Sequence, residues 1–237
     1  MAEHGKYRPL VIRSALCLTL LTVAPAAAVE CRLALALALD VSSSVNTTED
    51  ALQRGGLAAA LLAPEVRTSI LAGDPIAMAV YEWSGRYNQE VLASWRVIRS
   101  EQDLQALSRT IAASRRSHDE FPTAMGYALG FAWELFQEAP RCLYQTLDMA
   151  GDGESNEGFP PEAAYREYDF NDITVNGLVV NAADFEAEVD LIEWYRTEVL
   201  HGPGAFLEVA QGFEDYERAM RRKLERETRP RIFGGLQ

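Results

Sequence analysis

The stretch LALALALDVSSS, residues 33–44, contains seven apolar residues followed by an aspartate, a valine and three serines. An apolar run without polar alternation is typical of a strand covered on both faces, as in a parallel sheet flanked by helices. Ligands of open α/β sheets bind beyond the carboxyl ends of the strands, where Asp40 is expected. The stretch therefore predicts a buried central strand with a binding site at its carboxyl end.

The polar residues at this end form a cluster of oxygen ligands. Asp40, Ser42 and Ser44 are spaced two residues apart, so their side chains project to the same side of an extended loop. One carboxylate and two hydroxyls suit Mg²⁺ or Mn²⁺ better than Zn²⁺, which prefers thiolate and imidazole. Serine runs also occur in turns and at helix N-caps, and the triplet alone leaves that alternative open.

The segment DVSSS, residues 40–44, resembles the DxSxS motif of the von Willebrand factor A-type (vWA) domain. The metal ion dependent adhesion site (MIDAS) of that family adds a threonine from a later loop and an aspartate after the fourth strand. The resemblance implies five metal-site residues, which are Asp40, Ser42, Ser44, Thr123 and Asp152. The hydroxyls would ligate Mg²⁺, Mn²⁺ or Ca²⁺ directly, and the aspartates would ligate the ion or hold its waters. In that family the ion typically binds an Asp or Glu carboxylate of a protein partner.

The phrases CRLALALALDVSSSV, MAGDGESN and GPGAFLEVA also resemble a bacterial family of exported proteins described as domain of unknown function 1194. This second resemblance implies a fold and no partner.

The rest of the chain alternates apolar strands with amphipathic helices, which predicts an α/β three-layer sandwich with a mostly parallel central sheet. Further strands are predicted at 76–81, 90–98, 143–150, 173–180 and 205–210. The vWA resemblance implies a Rossmann-like fold in which 90–98 is an antiparallel edge strand. Thr47 and Asp50 have capping-box spacing and are predicted to begin the first helix, and Asp184 is predicted to cap a later one.

Residues 1–28 have the pattern of a secretory signal peptide, with basic residues, an apolar run at 15–23 and small residues ending at Ala28. The alternative, an N-terminal membrane anchor, is disfavoured because a span needs about 20 apolar residues. We expect cleavage after Ala28 and a single domain over residues 29–237 with no integral membrane segment. The mature protein is then periplasmic or secreted.

Charge disfavours nucleic acid as a partner. Without residues 1–28 the chain has 19 Lys and Arg against 34 Asp and Glu, a net charge of about −15. The basic residues at 218–231 are interspersed with Glu225 and Glu227, and we expect them to form a solvated helix end.

Two cysteines, Cys31 and Cys142, remain in the mature chain, and an oxidising compartment favours their pairing. Cys31 lies nine residues before Asp40, and Cys142 lies ten before Asp152. If both aspartates follow adjacent parallel strands, the cysteines lie side by side at the opposite end, within the Cα separation that a disulfide accepts. The spacing predicts a disulfide, and two buried free thiols are the alternative.

Two other functions compete with a binding module. A metal-dependent hydrolase could use the same ion to activate water for phosphoester cleavage. The sequence lacks a GxSxG elbow, a Walker A loop, an HExxH motif and a second carboxylate cluster. Only His118, in the loop before Thr123, is placed to reach the ion. The third function is a metal-free structural or scaffolding domain. We expect a binding module and not an enzyme.

Several residues follow predicted strands at the metal end or precede Thr123. We expect them to form the rim of a face that binds a protein partner, with ordinary loop positions as the alternative. These residues are Trp83, His118, Glu154, Asn156 and Glu157.

Overall fold

The computed structural model describes residues 1, 29–181 and 186–230. Most of the predicted signal peptide and the predicted helix cap Asp184 lie outside these residues.

Strands and helices alternate along the described chain. The strands are β1 (Cys31–Asp40), β2 (Ile76–Trp83), β3 (Gln89–Ile98), β4 (Cys142–Gly151), β5 (Ile173–Val180) and β6 (Leu207–Ala210). The helices are α1 (Thr47–Leu62), α2 (Pro64–Ile70), α3 (Glu101–Ala113), α4 (Met125–Gln137), α5 (Pro161–Glu167), α6 (Glu186–Trp194) and α7 (Tyr216–Thr228). A π-helical turn, Tyr195–Val199, continues α6, and a 3-10 turn, Phe213–Asp215, precedes α7.

The strands form one mixed sheet in the order β3-β2-β1-β4-β5-β6. All neighbouring pairs are parallel except β2 and β3, which are antiparallel. The predicted mostly parallel sheet with one antiparallel edge strand is therefore confirmed. β1 lies between β2 and β4, so the apolar run of the sequence occupies the middle of the sheet.

Side chains alternate along β1 between two helical layers. Its leucines pack in one core cluster with residues of α1, α2, α3 and α7, and its alanines pack in the other with residues of α4 and α5. Burying one leucine side chain stabilises the fold by about 1.5–3 kcal/mol. The predicted three-layer sandwich is the result, with no polar residue between Leu33 and Leu39.

The disulfide predicted from the cysteine spacing is present. Cys31 and Cys142 pair directly across β1 and β4, and their Cα atoms lie 4.5 Å apart. The bond joins the two central strands at the edge of the sheet opposite the serines.

Local details differ from the predictions at two elements. The N-cap of α1 is Asn46, whose side chain forms a capping box with Glu49, and not Thr47 with Asp50. The Asp50 carboxylate instead accepts a 2.8 Å hydrogen bond from Arg54. β6 is also shorter than predicted and begins at Leu207.

Within the described ranges, no helix combines the length and the apolar character needed to cross a membrane.

Candidate metal centre

β1 places Asp40 at the carboxyl edge of the sheet, and the chain then turns through the serines. Asp40 Oδ1 accepts a 2.8 Å hydrogen bond from the backbone N–H of Ser42. The hydroxyl oxygens of Ser42 and Ser44 lie 3.0 Å apart, and the Ser44 hydroxyl donates to Asp152 Oδ1 at 2.7 Å. Four of the five predicted residues are thus connected.

Thr123, the fifth residue, is held against the loop that carries Asp152. Its N–H donates to Asn156 Oδ1 at 3.0 Å, and the Asn156 N–H donates back to the Thr123 carbonyl at 2.9 Å. Thr123 Oγ1 lies 3.8 Å from the position that a Cβ of Gly153 would occupy. The hydroxyl therefore faces the residue next to Asp152.

Asp40 is buried, whereas the neighbouring Asp152 is only partly buried. Burial and the charge of Asp152 raise the pKa of Asp40 to about 7. Burial also raises the pKa of Asp152, opposed by its hydrogen bond from Ser44. Because a nearby positive charge favours the ionised form of a carboxyl group, a divalent cation at this position would lower both pKa values.

Gly151, the last residue of β4, borders Asp40 so closely that only glycine fits. A Cβ here would lie 2.8 Å from Asp40 Oδ2 and 2.5 Å from the hydroxyl oxygen of Tyr195. Asp40 Oδ2 is buried and has no hydrogen-bond partner within the described residues. A buried carboxylate oxygen left unpaired is costly, and a hard cation or its bound water would satisfy it. The side chains at this edge therefore fit a divalent-cation site.

The candidate ligands are the hydroxyl groups of two serines and one threonine and the carboxylates of two aspartates. Across the part of the chain that the structure describes, no group of three His, Cys, Asp or Glu side chains is placed to hold a metal ion. The hydroxyl and carboxylate oxygens of the candidate residues are hard donors, which suit Mg²⁺ better than a metal that prefers thiolate or imidazole.

The residues predicted to form the rim lie in different surroundings. His118 and Glu154 are exposed, and the His118 ring lies against Phe121 with centroids 5.2 Å apart. Asn156 is also exposed, and its side chain accepts a hydrogen bond from the backbone N–H of Thr123. Glu157 forms an ion pair with Arg86 at 3.2 Å.

Trp83 does not lie on the rim, so that prediction was wrong. It is the last residue of β2, opposite Asp40 in the sheet, and its side chain is fully buried in the core cluster beneath α4. A strand end had suggested exposure, but both faces of β2 are covered and all eight of its residues are buried. Tyr87, in the next loop, is the exposed aromatic residue, at 86% of full exposure.

Sequence reasoning missed Arg116. This half-buried side chain lies in the loop between α3 and Thr123 and donates hydrogen bonds to backbone carbonyls of residues 41–45. Every residue has a backbone carbonyl, so the residues that accept these hydrogen bonds have no characteristic residue types. No signal in the sequence separates Arg116 from Arg115, which is exposed.

Comparison with solved structures finds the same fold in vWA proteins and adhesins. Proximal thread matrix protein 1 from the mussel byssus, with zinc in its MIDAS motif, has a TM-score of 0.58 and 13% identity over 83% of this chain and 48% of that chain. A von Willebrand factor type A protein from Catenulispora acidiphila has a TM-score of 0.56 and 16% identity over 84% and 42%. The pilus adhesin SpaC from Lactobacillus rhamnosus GG has a TM-score of 0.60 and 11% identity over 84% and 31%.

The chain spans less than half of each of these proteins, and the low identities show the fold alone. No curated protein matches the chain. Residues 30–232, however, match a family described as "Protein of unknown function (DUF1194)". The match covers most of the chain and nearly all of the described residues. The chain is therefore a member of the DUF1194 family, with the fold of a vWA domain.

Proposed function

We propose that the protein is a binding module that holds one divalent cation through Asp40, Ser42, Ser44, Thr123 and Asp152, and binds a protein partner through that ion. The observation that carries the proposal is the hydrogen-bonded chain of side chains from two separate segments, Ser42 and Ser44 after β1 and Asp152 after β4, next to a buried Asp40 carboxylate oxygen that has no partner within the described residues. A chance surface cluster would have no reason to bury such an oxygen.

The charge of the site suits an ion that remains open to a further ligand. Two ionised aspartates balance the charge of Mg²⁺, and hydroxyl ligands add none. Mg²⁺ prefers six oxygen ligands and commonly keeps several waters, so a partner's Asp or Glu carboxylate can complete its coordination. When bound, the ion supplies the Lewis acidity that attracts this carboxylate.

The partner is proposed to be neutral or basic around its carboxylate, because the mature chain carries a charge of about −15. Protein binding agrees with the adhesin among the proteins of similar fold. We also propose that residues 29–237 form one domain exported to the periplasm or the exterior after removal of residues 1–28, which agrees with the disulfide.

Calorimetric titration with Mg²⁺ and Mn²⁺ tests the metal site. Wild-type protein should bind one ion, and Asp40→Ala should lose the binding heat. Asp119→Ala is the matched control, because Asp119 is an exposed acid in the loop before Thr123. Equal heats for wild type and Asp40→Ala would show that this is not a metal site and would favour a metal-free scaffold.

A panel of phosphoesters distinguishes binding from hydrolysis. We expect no metal-dependent turnover. Hydrolysis that disappears in both Asp40→Ala and His118→Ala would replace the proposed binding module by a metal-dependent hydrolase.

A further inference from the structure

The loop at residues 114–122 connects α3 to Thr123 and also holds the serine loop, residues 40–45. From this loop the Arg116 guanidinium makes four hydrogen bonds to the serine loop. Its Nη2 donates to the carbonyls of Val41 and Ser42, each at 2.7 Å. Nη1 donates to the carbonyl of Val45 at 2.6 Å, and Nε reaches the Val41 carbonyl at 3.3 Å. The Arg116 side chain therefore holds three peptide groups of the serine loop.

Arg116 is itself held in place by a buried ionic network. The carboxylate of Glu82, at the end of β2, is fully buried and accepts a 2.7 Å hydrogen bond from the N–H of Ser117 through Oε1. Its Oε2 accepts from Arg54, which also donates to the Ser114 hydroxyl at 2.8 Å. The loop is thus attached to α1 and β2 on both sides of Arg116.

A second bond joins the same two loops. The Ser43 N–H donates to the carbonyl of Phe121 at 2.8 Å, two residues before Thr123. The serine loop and the segment leading to Thr123 are therefore joined at two points, and neither contact uses the side chain of any of the five candidate metal ligands.

We infer that Arg116 is the positioning residue of the metal centre: it sets the peptide planes of the DxSxS turn so that the Ser42 and Ser44 hydroxyls face the ion. This inference rests on the proposed function. A guanidinium is planar and presents its donors in a fixed fork, so it can orient several carbonyls at once, whereas a lysine ammonium is a single point. Partners that orient metal ligands affect metal affinity even though they do not touch the ion.

The test compares metal affinity with stability of the metal-free protein. Arg116→Ala should weaken Mn²⁺ binding by about 10- to 100-fold, the usual effect of losing such an orienting group. Arg116→Lys should fall between wild type and Arg116→Ala. Arg115→Ala is the matched control, since Arg115 is the exposed neighbour, and its dissociation constant should equal that of wild type.

Two measurements separate positioning from a purely structural role. Dissociation constants come from calorimetry with Mn²⁺ alone, and melting temperatures come from circular dichroism in a chelator. A folded Arg116→Ala protein with the wild-type dissociation constant would overturn the inference and leave the proposed function standing. If Arg116→Ala does not fold, a lowered melting temperature of Arg116→Lys with unchanged Mn²⁺ affinity would overturn it equally. Absence of Mn²⁺ binding by wild type would overturn both.

Discussion

Thr123 contributes two different groups to the candidate centre. Its backbone N–H and carbonyl are bonded to Asn156, so the chain remains in place when the side chain changes. Its hydroxyl is directed towards the loop at Gly153. Because the backbone and the hydroxyl have separate roles, a substitution can remove the candidate ligand without disrupting the loop.

Thr123→Val should therefore weaken Mg²⁺ binding more than it weakens the fold. Valine keeps the shape of threonine but has no ligand oxygen, and the backbone bonds to Asn156 persist. We expect at least a tenfold loss in Mg²⁺ affinity, about 1.4 kcal/mol, and a smaller change in the free energy of unfolding measured in chelator. Partner binding should fall with the metal.

Thr146→Val serves as the control, because Thr146 is also buried but lies within β4. It should leave metal affinity unchanged. A Thr123→Val protein whose Mg²⁺ affinity equals that of wild type would remove Thr123 from the proposed ligand set.

The sequence predicted those candidate site residues that belong to a motif and follow a recognisable strand. Asp40, Ser42 and Ser44 follow an apolar run that can only be a central strand, and Thr123 and Asp152 occupy the matching loops. Arg116 was not predictable, because it recognises carbonyls that every residue has. Trp83 was misplaced because the core covers both faces of β2 up to its last residue.

Among the elements, α7 departs most from its expected character. Its basic residues were expected to be solvated, yet the Lys223 side chain is fully buried, 2.9 Å from Asp148 Oδ1 and 2.5 Å from Glu227 Oε1. Both carboxylate side chains are 1% exposed. Charge composition alone cannot reveal this arrangement, because Lys223 pairs with a residue of β4 that is 75 positions away. α7 is thus attached to the sheet by a buried cation between two anions.

The buried network predicts a pH-dependent effect of Lys223→Met. Burial raises the pKa of Asp148 to about 7; Lys223 opposes the shift and Glu227 adds to it. A folded-state pKa above the unfolded value means that the folded protein binds the proton more tightly, so stability falls as pH rises from about 4 towards 7. Lys223→Met leaves two buried carboxylates, and we expect a loss of about 3–5 kcal/mol at pH 8.

At pH 5, where Asp148 is protonated, the loss should be clearly smaller. Urea unfolding at both pH values measures the difference. Arg222→Met is the control, because Arg222 pairs with Glu208 at the surface and should cost about 1 kcal/mol or less at either pH. A loss for Lys223→Met that is the same at pH 5 and pH 8 would contradict the prediction.

For the molecule as a whole, topology was the most predictable property. The apolar run and the alternating elements predicted a mostly parallel sheet with helices on both faces, and the vWA resemblance implied that 90–98 is its antiparallel edge strand. The cysteine spacing predicted the disulfide because residues at nearly equal distances before the carboxyl ends of adjacent parallel strands lie side by side. Boundaries were less predictable: Asn46 and Thr47 each stand three residues before an acidic residue, and the capping box forms between Asn46 and Glu49.

Reduction of Cys31–Cys142 should lower the free energy of unfolding by about 4–5 kcal/mol in the chain-entropy account, since the bond closes a long loop; the two cysteines are 111 residues apart. Urea unfolding of oxidised and reduced protein measures the change. Replacing both cysteines by serine should reproduce the loss and abolish the response to reductant. Equal unfolding midpoints for the oxidised and reduced wild-type protein would contradict the prediction.

The disulfide also determines how mechanical tension passes through the molecule. Residues 31–142 form a covalently closed segment that includes Asp40, Ser42, Ser44 and Thr123. A pull applied at residues 29 and 230 crosses from β1 directly to β4 through the sulfur atoms and bypasses this segment. Only Asp152 lies on the strained path, so four of the five candidate ligands are shielded from extension while the bond is intact.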